Sequence, residues 1–216
     1  MKTRSMNVPN ILSLLRVALV PAFVIALIFM RDIPVWGKVV PALIYVVTGL
    51  TDMLDGKIAR KYNLVTDFGK FIDPLADKFM VLASMITMLT VMLLEQQLLM
   101  ALVFVWVVLV ILLRELAVTS IRLVVAGKSG IVVAASMLGK LKTVSQMVGT
   151  VLIILEPVIF PFSAETHIVS YVCMAVMLLT TLISGLDYLR AYLPLNSNYI
   201  MKLARIRRKF IIRVLI

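Results

Sequence analysis

The chain has 216 residues, 62% of them hydrophobic, and a mean hydropathy of +1.07; a soluble domain is about half apolar, so a soluble globular fold is excluded. Its 22 Lys and Arg outnumber its 11 Asp and Glu for a net charge of +11, so clustered carboxylates are the unusual feature to look for. The one cysteine, Cys173, excludes an internal disulfide and lies in an apolar run that suits helix packing.

The length suits about six spanning helices of roughly 20 residues with short connections, as a single membrane-embedded domain over residues 1–216. The opening Met1 to Ser5 is basic, yet the apolar run from Val17 to Met30 has no small-residue cleavage site and reads as a retained first helix. Ahead of that run Asn10, Ser13 and Arg16 recur every third residue among apolar neighbours, which predicts an N-terminal amphipathic helix at the membrane interface. Spans are then predicted near Val17 to Met30, Val35 to Leu50, Leu75 to Leu94, Leu98 to Leu113, Met147 to Phe160 and Ile168 to Leu186. The expected fold class is therefore an all-α integral membrane protein with six transmembrane helices. Between the fourth and fifth spans, Arg114 to Lys142 carries five basic residues and one acidic residue, with Gly127, Gly130 and Gly139 as expected breaks, and reads as a basic connection. Asp187 reads as an end-of-helix partner of Arg190. The tail, about residues 200–216, has six basic residues and no acid from Lys202 to Arg213. Leu203, Ile206 and Phe210 fit one helical face there, a pattern suited to anionic membrane lipids and not to nucleic acid.

Orientation follows from the cations. In a six-span layout Arg31 and Lys38 fall on one side and the other twenty basic residues on the other. The positive-inside rule then puts both termini at the cytoplasmic face. Glu95, Glu156, Glu165 and His167 fall on the opposite face, where no carboxylate pair or metal spacing forms and His167 reads as a solvated loop residue.

Five of the eleven acidic residues lie between Asp52 and Asp77, on the cytoplasmic side of this layout. Asp52 and Asp55 are three apart and Asp73 and Asp77 four apart, so on helices each pair projects from one side. Four carboxylates repel one another unless cations hold them. Oxygen-only ligands favour a hard divalent ion, Mg²⁺ or Mn²⁺, and four can hold two ions in an arrangement suited to phosphate chemistry. Ion pairing with Lys57, Arg60, Lys70 and Lys78 alone would not require Gly56 after a carboxylate or Ala59 one turn beyond Asp55; both small residues let a bulky ligand approach the helix.

At these residues the chain resembles the CDP-alcohol phosphotransferase family. The family signature, Asp-x2-Asp-Gly-x2-Ala-Arg-x8-Gly-x3-Asp-x3-Asp, is present at every fixed position from Asp52 to Asp77. The resemblance implies a six-span fold and cleavage of the CMP-phosphate bond of a CDP-linked donor, with transfer of the remaining phosphoryl group to an alcohol. It also implies that Asp52, Asp55 and Asp73 bind one metal ion and Asp52, Asp73 and Asp77 a second, with Asp77 as general base. Asn10, Ser13, Gly56, Ala59, Arg60, Thr66 and Gly69 would contact the donor nucleotide. Ser13 stands where family members often have Thr and keeps the hydroxyl.

The metal motif does not choose the alcohol. Arg114, Arg122, Lys140 and Lys142, with Gln146 close behind, would put four cations near the Asp cluster and suit an anionic acceptor; the alternative is ordinary positive-inside charge. Asn7 to Arg16, Leu113 to Thr119 and Gly139 to Thr143 resemble the bacterial phosphatidylglycerophosphate synthase branch of the family. That resemblance implies a bacterial cytoplasmic membrane enzyme with CDP-diacylglycerol as donor and sn-glycerol 3-phosphate as acceptor. Arg114, Arg122, Lys140 and Lys142 would hold the acceptor phosphate. The runner-up within the family is a phosphatidylinositol-phosphate, phosphatidylserine or cardiolipin synthase. A cation-coupled transporter, the alternative from another class, should scatter charges toward the midplane and show paired halves. Oligomeric state is not readable from the sequence, and a homodimer is left open.

Overall fold

The structure, a computed structural model, describes residues 8–61, 67–129, 137–163 and 165–192; side chains are described over 14–51, 76, 78–122, 137–163 and 165–190. Among these residues the fold is all-helical. The helices are α1 (Val8–Phe29), α2 (Trp36–Lys61), α3 (Asp67–Leu94), α4 (Leu98–Ser129), α5 (Met137–Ile159) and α6 (Ile168–Tyr192), with one 3₁₀ turn, Pro161–Ser163, before α6.

All six apolar runs are found in helices, and α2 to α6 continue beyond the apolar part at the end that carries the basic and acidic motifs. α4 is the extreme case: 32 residues at about 1.5 Å each extend well past a hydrocarbon layer about 30 Å thick. Hydropathy marks only the stretch that suits lipid, whereas the backbone ladder continues wherever residues tolerate a helix. Two expectations change as a result. Arg114 and Arg122 lie on α4 and Lys140 and Lys142 on α5, so the basic "connection" is largely helix, and Gly127 and Gly139 lie inside helices rather than breaking them. The N-terminal interfacial segment is likewise no separate element: α1 is continuous from Val8 through Phe29, and Arg16, expected on the polar face of an interfacial helix, is fully buried.

Leu98–Arg122, Met137–Ile159 and Ile168–Arg190 are long and apolar enough to cross a membrane; α1, α2 and α3 contribute the shorter apolar stretches Leu14–Phe29, Trp36–Thr51 and Lys78–Leu94. α1 packs against both α2 and α3, α5 joins α2 to α6, and α4 bridges α3 and α6. The core between them is rich in methionine, with Met80, Met85, Met88, Met92, Met174 and Met177 buried around Phe23, Tyr45 and Phe104. Cys173 is buried there too, as expected for a packing residue. Small side chains set the closest approaches. A Cβ on Gly149 of α5 would lie 2.6 Å from Met177 Sδ of α6, and one on Gly37 would lie 2.0 Å from the Met30 carbonyl oxygen in the turn before α2.

Two buried hydroxyls are satisfied within their own helices: Thr48 donates to the Ile44 carbonyl at 2.6 Å and Thr87 to that of Ala83 at 2.6 Å. A helix surrounded by lipid or by other helices has no water for such groups, so the preceding turn is the available acceptor.

Candidate active site

The signature occupies two consecutive helices. Asp52, Asp55, Gly56, Ala59 and Arg60 are on α2, and Gly69, Asp73 and Asp77 on α3. The helical backbone at both places gives the i,i+3 and i,i+4 spacings their meaning: each Asp pair shares one face of its helix. Only residues 62–66 separate the helices, which holds their adjoining ends within about 20 Å. The side chains of these residues, and those of Asn10 and Ser13 on α1, lie outside the described residues, as does Thr66 altogether. Among the described residues no group of three or more His, Cys, Asp and Glu could hold a metal ion.

From Lys78 onward the site can be followed atom by atom. Lys78 follows Asp77 on α3, and its Nζ donates to Thr119 Oγ1 of α4 at 2.7 Å. That contact is on the wall of a cavity of about 340 Å³ between α3, α4 and α5, which is also lined by Arg114, Glu115, Arg122, Lys140 and Lys142. All four cations expected to hold the acceptor's phosphate therefore meet in one cavity, and Lys78 joins them. In the sequence Lys78 reads only as an ion-pair partner for the carboxylates, because nothing in sequence spacing tells which way a helical lysine reaches.

Among the described residues, one carboxylate sits among these five cations. Glu115 Oε1 accepts from Arg114 Nη1 at 2.9 Å and from Lys142 Nζ at 2.5 Å. Lys142 is itself buried, and a buried ammonium needs such a partner. The pair ties α5 to α4 where few other contacts join them.

Two residues of α6, absent from the sequence reading, hold the arginines from behind. Arg114 Nη2 donates to Ser184 Oγ at 2.6 Å, and Arg122 Nη2 donates to the Tyr188 hydroxyl. The Tyr188 ring also lies 4.9 Å from the Arg122 guanidinium carbon and 5.8 Å from that of Arg114, within the range in which a ring face attracts a cation. Gly185 admits Arg114 beside it, since a Cβ there would sit 3.1 Å from Arg114 Cγ. The only sequence signal was a polar pair spaced by four at the end of the last apolar span, too common a pattern to single out. With two nitrogens engaged, Arg114 Nε remains buried without a hydrogen-bond partner.

The opposite ends of these helices are built differently. Glu156, expected on the face opposite the Asp cluster, is 1% exposed near the end of α5. Its Oε1 accepts from Ser163 Oγ at 2.5 Å and from the Val169 N–H at 3.1 Å; its Oε2 accepts from the Ser170 N–H at 3.1 Å and from the Ser170 hydroxyl. It caps the first turn of α6, where helical N–H groups lack partners and the helix dipole favours an anion. Lys38 of α2 pairs with Glu95 after α3 at 2.6 Å. His167 is half-buried with φ 52° and starts α6 through its backbone, its N–H donating to the Ser163 carbonyl. Asp187 and Arg190, expected to pair, are joined by no salt bridge among the described residues.

Comparison with known proteins accounts for most of the chain. Residues 6–184 match the model of the CDP-alcohol phosphatidyltransferase family. The CDP-diacylglycerol--glycerol-3-phosphate 3-phosphatidyltransferase of Bacillus subtilis (strain 168) is 39% identical over 194 residues, 84% of this chain and 93% of the relative. A probable phosphatidylglycerophosphate synthase of Mycobacterium tuberculosis (strain CDC 1551 / Oshkosh) is 38% identical, covering 87% of this chain and 82% of its own. A Rickettsia typhi (strain ATCC VR-144 / Wilmington) protein with the same name as the Bacillus one is 33% identical over 86% of this chain and 96% of its own. With a match over most of its length, relatives similar from end to end and every fixed position of the signature in place, the chain belongs to the CDP-alcohol phosphatidyltransferase family.

Proposed function

We propose that this chain transfers a phosphatidyl group from CDP-diacylglycerol to sn-glycerol 3-phosphate, giving phosphatidylglycerophosphate and CMP. The observation that carries the choice of acceptor is the cavity where Lys78, the residue after Asp77 on α3, meets Arg114 and Arg122 of α4 and Lys140 and Lys142 of α5. A cavity of that charge favours an alcohol that brings its own phosphate. The names carried by the Bacillus, Mycobacterium and Rickettsia relatives support the same acceptor.

Asp52, Asp55, Asp73 and Asp77 are assigned to two divalent cations, Mg²⁺ or Mn²⁺. The donor set fits them: four carboxylates, two on each of two helices, supply only hard oxygen ligands. Such ions, when bound, supply charge neutralisation to a diphosphate and its leaving group. In the reaction Asp77 accepts the proton of the attacking hydroxyl. The hydroxyl oxygen forms a bond to the phosphorus that carries diacylglycerol, and the bond from that phosphorus to the CMP oxygen breaks. Asn10, Ser13, Gly56, Ala59, Arg60, Thr66 and Gly69 are assigned to the nucleotide, and Arg114, Arg122, Lys140 and Lys142 to the acceptor's phosphate. Glu115 offsets part of the positive charge and keeps the arginine and lysine in place between turnovers.

The reading places a multi-pass protein in a membrane with six spans, the active site and both termini at the cytoplasmic face, and the basic tail, outside the described residues, on anionic lipid. It treats residues 1–216 as one domain. The test is to offer the purified protein CDP-diacylglycerol with Mg²⁺ or Mn²⁺ and, in turn, glycerol 3-phosphate, inositol phosphate, serine and phosphatidylglycerol, and to identify the lipid formed. Phosphatidylglycerophosphate formed from glycerol 3-phosphate alone is expected. A lipid product from another acceptor would move the chain to another branch of the family.

A further inference from the structure

Gln146 lies on α5 one turn beyond Lys142 and is 1% exposed. Its Nε2 donates weakly to Thr181 Oγ1 of α6, at 3.3 Å, while Oε1 has no hydrogen-bond partner among the described residues. A buried carboxamide oxygen without a donor is costly, of the order of an unmade hydrogen bond, and asks for an explanation. Turning the amide over would only exchange the ends, pairing the oxygen with Thr181 and leaving the NH₂ in its place.

Gln146 lines a narrow cleft of about 50 Å³, walled mainly by Leu112, Leu116 and Val81. The cleft shares Lys78, Glu115, Lys142 and Thr143 with the cationic cavity, so the two adjoin. The cations therefore surround the wide part, and one turn deeper on the same helix, a rise of about 6 Å, the neutral carboxamide of Gln146 lines a largely apolar slot. A small molecule that fills both parts carries an anion at one end and a hydrogen-bonding group a few bonds away. Glycerol 3-phosphate has that form, and it has a hydroxyl to spare: the less hindered primary one attacks, and the secondary one does not.

We infer that Gln146 is a specificity-determining residue that binds the non-reacting hydroxyl of the acceptor. A hydroxyl both donates and accepts, so it satisfies either end of the carboxamide. Binding it fixes the rotation of the three-carbon chain about its phosphate and so presents the primary hydroxyl in one orientation. An acceptor lacking the secondary hydroxyl leaves Gln146 unpaired, the situation in which a polar pocket discriminates most strongly. The inference rests on the proposed placement of the acceptor's phosphate among the cations.

The test compares glycerol 3-phosphate with propane-1,3-diol monophosphate, which lacks only the secondary hydroxyl, on the full-length enzyme in lipid nanodiscs. With the native chain, kcat/KM for the deoxy acceptor is expected to be lower by about tenfold or more. Gln146→Leu, of similar volume, and Gln146→Met, more adaptable, should lower kcat/KM for glycerol 3-phosphate to the level of the deoxy acceptor, with KM for CDP-diacylglycerol unchanged. A native enzyme indifferent to the secondary hydroxyl overturns the inference. So does a loss in both variants that is equal for the two acceptors, because a purely structural role for Gln146 cannot distinguish them. Lys140→Ala separates the underlying reading: it should raise KM for both acceptors alike, and an unchanged KM would remove the phosphate from this cavity and the inference with it.

Discussion

A single proton decides the chemistry assigned to Asp77. Asp77→Asn keeps the size of the side chain and an oxygen ligand but removes the proton acceptor, so turnover should fall by about 10²- to 10⁴-fold while CDP-diacylglycerol still binds. Near-native product formation by this variant would take the base role away from Asp77. The arginines make a second residue-scale case, because their positions are set by a neighbour that need not touch substrate. Tyr188→Phe keeps the ring against both guanidinium groups but removes the hydroxyl that accepts from Arg122. Arg122 is exposed and partly solvated, so a rise of about three- to tenfold in acceptor KM is expected rather than a larger one. KM for CDP-diacylglycerol should stay constant in the same assay, and an equal change in both would make Tyr188 a packing residue.

At the scale of elements, α4, α5 and α6 divide their labour by end. At one end α4 and α5 diverge around the cationic cavity, joined by the Glu115–Lys142 pair and backed by α6. At the other end Glu156 binds α5 to the start of α6 through donors on Ser163, Val169 and Ser170. Glu156→Gln retains the shape but turns an NH₂ group toward N–H and hydroxyl donors. Its expected cost is about 3 kcal/mol or more, read as a lower Tm in detergent, because a buried cluster of donors loses its shared acceptor. The effect on acceptor KM should be small, since the cap lies at the far end of α5 from the cavity. A variant with native Tm would show that the cap is not needed to hold α6.

For the whole molecule, the distribution of charge predicts which end faces which side. The cavity cations lie at the end of α4 and α5 opposite to Lys38, Glu95 and Glu156. In a chain whose only cysteine is replaced by Cys173→Ala, a cysteine substituted for Glu165 should react with an impermeant thiol reagent added outside intact cells. One substituted for the exposed Lys140 should react only after the cells are opened. Labelling of the Lys140 position from outside would invert the proposed orientation and separate the cavity from a cytoplasmic supply of substrate.

Much of this protein was legible in its sequence. Six apolar runs report six helices because transfer from water to an apolar surround depends on composition, which neighbours in sequence share. The metal-ligand candidates were legible for a related reason: Asp52 with Asp55 and Asp73 with Asp77 lie within one helical turn of each other, and helix geometry alone puts each pair on one face. The lengths of α4 and α5 were not, since a helix that leaves the membrane no longer needs to be apolar. Nor were the partners of the cations. Arg114 and Arg122 meet Ser184 and Tyr188 across about seventy residues, and Lys78 meets Thr119 across forty-one. Such contacts depend on which helix faces agree in register when α3, α4, α5 and α6 pack. The burial of Arg16, Glu156 and Gln146 belongs to the same class. Sequence by itself determined a membrane-embedded bundle carrying an aspartate cluster suited to divalent ions. Only the tertiary structure decided that five cations, among them the residue after Asp77, converge on one cavity, and that a neutral amide stands one turn below them on α5, because convergence is a property of packed surfaces and not of any one helix.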